Sequence, residues 1–107
     1  MSDVLDINET NFKSEILESD KLAIVDFGAE WCEPCKKIHP MMQELAMDYN
    51  NKVKMGYVDV GVSPGVAQQY AVMSVPRLVF FKGGRPVDTI IGLVPKNKID
   101  EKIQANI

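Results

Sequence analysis

The stretch "KLAIVDFGAEWCEPCKKIHP" (residues 21–40) holds a strand, a short connection and the start of a helix, with both cysteines of the chain at the join. "KLAIVDF" (21–27) is mostly apolar and rich in β-formers, which suits a strand buried on both faces. Beyond the cysteines, Ile38, Met41, Met42, Leu45 and Tyr49 recur at helical spacing; Pro40 inside that pattern removes one amide donor and predicts a kink. Cys32 therefore falls at a helix start, where unpaired amide N–H groups and the helix dipole favour a thiolate. Pro34 fits the first turn, because it has no N–H to leave unsatisfied and its φ is already helical. Cys35, three residues on, faces the same side as Cys32. The pair can supply an exposed attacking sulfur and a more buried resolving one, as thiol–disulfide exchange requires.

Outward from this join the chain alternates. Asn8 or Thr10 caps a first helix with Phe12, Ile16 and Leu17 as its apolar stripe, ending near Ser19 and Asp20. "KVKMGYVDV" (52–60) is a second buried strand and "SPGVAQQY" (63–70) a short helix or turn. "RLVFF" (77–81), "KGGR" and "PVDTII" (86–91) form an antiparallel pair with a glycine hairpin. Ile99, Ile103 and Ile107 place a last helix on the sheet, and a weak strand at Val4 to Ile7 opens the chain. The order β, α, β, α, β, α, β, β, α predicts an α/β fold with a central mixed sheet covered by helices.

With 107 residues, 46% of them hydrophobic, a single domain spanning 1–107 is expected. Twelve basic and 15 acidic residues give a net charge of −3 with no basic cluster, which argues against a nucleic-acid partner. Residues 1–10, "MSDVLDINET", lack the basic start and apolar run of a secretory signal, and no apolar stretch approaches membrane-spanning length. A soluble cytoplasmic protein, monomeric and without a membrane partner, is expected. A Cys32–Cys35 bridge closes too short a loop to remove much unfolded-state entropy, so reactivity is a better reason for the pair than stability. Zinc is the competing use. A structural site takes four ligands, whereas the chain offers two cysteines and one histidine, so only a dimer pooling two pairs would complete one. No metal is expected.

"VDFGAEWCEPCKKIHP" (25–40), "SVPR" (74–77) and "VFFKGGR" (79–85) together resemble the thioredoxin family, and the resemblance runs over essentially the whole chain. It implies a five-stranded mixed sheet flanked by four helices and a thiol–disulfide oxidoreductase with no cofactor of its own. A separate NADPH- or ferredoxin-linked reductase would be the electron donor, and client proteins with disulfides the acceptors. In that picture Cys32 attacks and Cys35 resolves. Asp26 matches the family's buried carboxylate, thought to assist proton transfer at the resolving thiol; its place inside an apolar strand is independently odd, because burial raises a carboxyl pKa toward neutrality. The alternative is a hydrogen-bonded aspartate with no catalytic part. Pro76 matches the family's cis-proline, which lies against the bridge and whose preceding backbone can pair with a client. Trp31, Val75 and Gly92 match positions that border the cysteines, forming with Pro76 a shallow apolar client surface; each has packing or a turn as its alternative.

Four positions depart from the family pattern. Glu33 stands where glycine is usual. At roughly 7 Å from the reactive sulfur its charge is worth about 0.6 kcal/mol in water and about 2.4 at an effective dielectric of 20, disfavouring the thiolate. Lys36 and Lys37 oppose it, so the expected role of Glu33 is selection among partners by charge at the rim. Gly28 replaces a common aromatic residue, which predicts open space near the sulfurs or a looser loop. Tyr57 replaces a frequent lysine near Asp26, favouring the protonated carboxyl, and Arg77 replaces a frequent threonine and is a candidate for the missing cation. These changes put a standard thioredoxin reductase in doubt as the donor. His39, one helical turn beyond Cys35, is read as a partly exposed helix residue, with a proton shuttle as the alternative. Met41 and Met42 are helix packing.

The function expected is thus a disulfide reductase of this type. The alternative is a binding module that uses the rim around Trp31 and Pro76, its redox activity incidental. An oxidant or isomerase ranks third, because a reducing compartment keeps such pairs as thiols.

Overall fold

The computed structural model describes residues 3–50 and 52–107. Five strands, β1 (Val4–Asp6), β2 (Leu22–Gly28), β3 (Val53–Asp59), β4 (Arg77–Lys82) and β5 (Arg85–Ile91), form one sheet in the order β1-β3-β2-β4-β5. β3 pairs parallel with β1 and β2, while β4 pairs antiparallel with β2 and β5, so the sheet is mixed. Four helical segments accompany it: a turn at Lys13–Leu17, α1 (Glu33–Tyr49), α2 (Pro64–Gln69) and α3 (Lys96–Asn106). This is the α/β architecture that the resemblance implies.

Central β2 is buried at every position, as its apolar run requires. Alternate residues feed two cores. Ile24, Leu78 and Phe80 face Ile38, Met42 and Leu45 of α1 and Ile99 and Ile103 of α3. Val25, Phe27, Val79 and Phe81 face Phe12, Ile16, Val66 and Ala67 on the other side. Both glycines of the β4–β5 hairpin have positive φ (61° at Gly83, 79° at Gly84), the backbone that a two-residue turn between twisted strands demands.

The first helix differs from its expectation in type. It winds wide, with the Glu18 N–H donating to the Lys13 carbonyl at 2.9 Å, so Lys13–Leu17 is a π turn. Its N-cap is Phe12, with no side-chain cap bond, so neither Asn8 nor Thr10 caps it; the Asn8 side-chain oxygen instead closes the preceding turn, accepting from the N–H groups of Thr10 (2.9 Å) and Asn11 (3.2 Å). α1 runs unbroken through Pro40, forgoing the bond that residue 40 would donate to the Lys36 carbonyl. Ile107 leaves the apolar stripe of the last helix: α3 ends at Asn106 and Ile107 is exposed.

Candidate active site

The join between β2 and α1 lies at the C-terminal edge of the parallel strands, where crossover connections leave backbone and side chains open to ligands. Cys32 is the N-cap of α1, with extended backbone (φ −93°, ψ 109°), and Pro34 occupies the first turn. The Cys35 N–H donates to Cys32 Sγ at 3.2 Å, so the sulfur receives one of the amide protons that the helix start leaves free. The two sulfurs are bonded as a disulfide, with Cα atoms 5.3 Å apart. A difference in exposure between the cysteines was expected and is absent: Cys32 is 5% exposed and Cys35 4%. Their asymmetry lies in what surrounds them. Cys32 follows Trp31, which is 76% exposed, whereas Cys35 is turned toward the sheet, its Cβ close to Gly28.

On the outer side, Val75 packs on the small cluster of Ala29, Cys32 and Cys35. The Val75–Pro76 peptide is cis, and the Pro76 carbonyl accepts from the Gly92 N–H at 2.9 Å. Gly92 has φ 89°, a backbone that side-chain-bearing residues rarely adopt. The fold therefore gathers Trp31, Val75, Pro76 and Gly92 around the bridge from three separate stretches of chain. Glu33 projects from the rim into solvent and pairs with Lys36 at 3.2 Å, both side chains largely exposed. The two charges offset each other beside the sulfurs, and an exposed pair of this kind is weak.

On the inner side, Asp26 is fully buried and neither carboxylate oxygen has a hydrogen-bond partner among the described residues. Burial pushes its pKa from 3.8 up to about 7. Tyr57 is its register partner on β3, and its phenol reaches back toward Gly28. A Cβ on residue 28 would lie 2.9 Å from the Tyr57 ring and 3.4 Å from Cys35 Cβ. The space expected beside Gly28 is thus occupied: the two departures are one exchange, in which a ring from β3 fills the volume that β2 gives up. Burial, and then the carboxylates of Asp59, Asp26, Asp6 and Glu30, hold the phenol above its ordinary range, so Tyr57 is neutral.

Arg77 does not supply the missing cation. Strand alternation turns it to the face opposite Asp26, where its guanidinium donates to the Ala71 carbonyl (3.2 Å) and Thr89 Oγ1 (3.3 Å). The group that does face Asp26 is His39, with Nδ1 4.0 Å from Asp26 Oδ2. Its exposure is partial, as expected, but the helix-residue reading missed the buried ring edge. The signal was present: Asp26 and Gly28 are two apart on a strand, and Cys35 and His39 four apart on the helix laid over it. Those intervals span about 6.6 and 6 Å, so the pairs come level. Among the described residues no three His, Cys, Asp or Glu side chains converge as metal ligands.

A bonded Cys-x-x-Cys pair at a helix start, a buried carboxyl on the strand that leads into it and a cis-proline beside it form one recognisable combination. The family model "Thioredoxin" matches residues 3–105. The chain belongs to the thioredoxin family. It is 38% identical over 107 residues to "Thioredoxin 1" of Nostoc sp., covering 100% of both chains. "Thioredoxin 2" of Chlorobaculum tepidum is 43% identical over 99 residues, which cover 92% of this chain and 91% of that one. "Thioredoxin M-type, chloroplastic" of Spinacia oleracea is 39% identical over 104 residues, covering 97% of this chain and 58% of its own. As a thioredoxin with an intact cysteine pair, the protein is a thiol–disulfide oxidoreductase. No helix among the described residues is long and apolar enough to cross a membrane.

Proposed function

We propose that this thioredoxin is a protein-disulfide reductase in which Cys32 attacks and Cys35 resolves. The Cys32 thiolate opens a client disulfide, forming a mixed disulfide and releasing one client thiolate. Cys35 then gives its proton to Asp26, its sulfur bonds to Cys32 Sγ, and the second client thiolate leaves with the electron pair. The products are the reduced client and the Cys32–Cys35 bridge, which a reductase returns to the dithiol. The observation that carries this assignment is the Cys35 N–H directed at Cys32 Sγ, because the same donor stabilises negative charge on that sulfur in the reduced protein. An unpartnered Asp26 with its pKa near 7 is suited to accept and return a proton at neutral pH. Clients would lie on Trp31, Val75, Pro76 and Gly92, pairing with the Val75 backbone, while Glu33 biases the choice among them by charge. We further read the protein as a cytoplasmic, monomeric single domain served by a reductase adapted to the variant loop.

Trapping tests the assignment. Cys35→Ser should accumulate a mixed disulfide through Cys32 with a disulfide-bonded client such as insulin, identified by mass spectrometry and released by dithiothreitol. Failure to form that adduct overturns the roles of both cysteines. Insulin reduction no faster than with dithiothreitol alone would instead favour the binding module.

A further inference from the structure

The three buried side-chain polar atoms that lack a hydrogen-bond partner among the described residues are Asp26 Oδ1, Asp26 Oδ2 and His39 Nδ1. They belong to two groups facing each other across 4.0 Å. Buried polar groups are nearly always paired, so an unpaired cluster calls for a cause, of which a catalytic role is one. Asp26 is 0% exposed, so a proton that it takes from Cys35 has no direct way out.

The surroundings leave His39 as the exit. From β3, Tyr57 presents a neutral phenol, with the carboxylates of Asp59 and, from β1, Asp6 also acting on it. From β4, Leu78 is the register partner of Asp26, and Arg77 is on the other face. From α1, Lys36 is paired with Glu33 at the surface; Glu30 lines the same cleft from the loop. The His39 ring stands edge-to-face on Tyr57, centroids 5.5 Å apart at 71°, which fixes its orientation. Its side chain is 40% exposed although Nδ1 is buried, so water reaches the opposite edge of the ring. A cleft of about 350 Å³, lined by Cys35, His39 and Tyr57 among others, opens there.

We propose that His39 is the positioning residue for the resolving proton, accepting it from Asp26 at Nδ1 and releasing it to solvent from the other ring nitrogen. The step rests on the pairing of Asp26 with Cys35 proposed above. Cys35–SH gives its proton to the Asp26 carboxylate; the carboxylic acid passes it to Nδ1; the imidazolium loses a proton to water from Nε2. No electrons move in the relay. One bridging water closes the 4.0 Å gap without moving the ring. Imidazole is suited to the task because it both takes and gives a proton near neutral pH. Tyr57 contributes by holding the ring, and Gly28 by leaving room for Tyr57.

The test is single-turnover resolution of a preformed mixed disulfide on Cys32, followed by Trp31 fluorescence across pH. His39→Ala should slow resolution roughly tenfold near pH 7, with the loss shrinking toward pH 9 as hydroxide takes over. Added imidazole should restore much of the rate in His39→Ala and none in Asp26→Asn. His39→Phe keeps a ring against Tyr57 without nitrogens; it should be as slow as His39→Ala and resistant to rescue. Parent-like rates in either His39 variant, or a loss that neither pH nor imidazole changes, overturn the relay. Asp26→Asn separates the two levels: slow resolution there with normal His39 variants rejects the relay alone, whereas normal resolution in all three rejects the Asp26 assignment and the relay together.

Discussion

The two sides of the Cys32–Cys35 bridge are built from opposite materials. The outer side is open, apolar and shaped largely by backbone: Trp31, Val75, a cis peptide at Pro76 and a positive-φ glycine at Gly92. The inner side is closed, holds the unpaired carboxyl of Asp26, and is lined by Tyr57, Gly28 and His39. Departures from the family pattern that reach the bridge concentrate inside, with Glu33 the exception at the rim. Recognising many clients needs exposed apolar surface and free backbone, which tolerate little change. Moving a proton needs one titratable path in a dry setting, and different residues can compose it.

Breaking the element that both sides share has the largest effect: Cys32→Ser should lower insulin reduction to the rate of dithiothreitol alone. Next comes the inner side considered apart from the outer. The folded state binds the Asp26 proton more tightly than the unfolded chain, so stability falls as pH rises from about 4 to about 7 and stays reduced above. Asp26→Asn removes that loss. It should match the parent near pH 4 and exceed it by about 4 kcal/mol at pH 8, measured by urea unfolding at both pH values, while client KM stays unchanged. Equal stability differences at the two pH values would contradict an isolated buried carboxyl.

A smaller effect tests whether Gly28 and Tyr57 are one exchange. Gly28→Trp should destabilise by about 1–3 kcal/mol through overpacking, and Tyr57→Lys in the same chain should recover most of it. Additive losses would mean that the two positions vary independently. On the outer side, Trp31→Ala should raise client KM roughly fivefold, equivalent to about 1 kcal/mol, with stability and the pH profile unchanged. The smallest change is expected for Glu33→Gly, less than roughly threefold in kcat/KM and opposite in direction for acidic and basic clients. A uniform change across clients would remove selectivity as the role of Glu33.

Much of the frame was legible along the chain, whereas the outer side, with Pro76, Val75 and Gly92, came from the family resemblance. The apolar run of β2, the cap at Cys32 and the proline in the first turn all act within a few residues, so pattern and local backbone chemistry suffice. Asp26 announced itself by sitting between Val25 and Phe27. The π winding of Lys13–Leu17 did not, because its period differs from an α-helix by little over five residues. Of the two expectations at Gly28, open space or a looser loop, the first fails because the ring that fills the space comes from a strand 29 positions later. Arg77 needed a strand face before its side chain could be located.

From residue order alone come the pair of thiols at a helix start, the alternating strands and helices and the odd carboxylate, since periodicity, capping and dipole effects act over neighbouring residues. Packing of α1 and β3 on β2 settled what surrounds that carboxylate: His39 across 4.0 Å, Tyr57 in place of a cation, Arg77 turned away. Which side chains meet in a desolvated space depends on how distant segments stack, and the proposed proton path rests on that geometry.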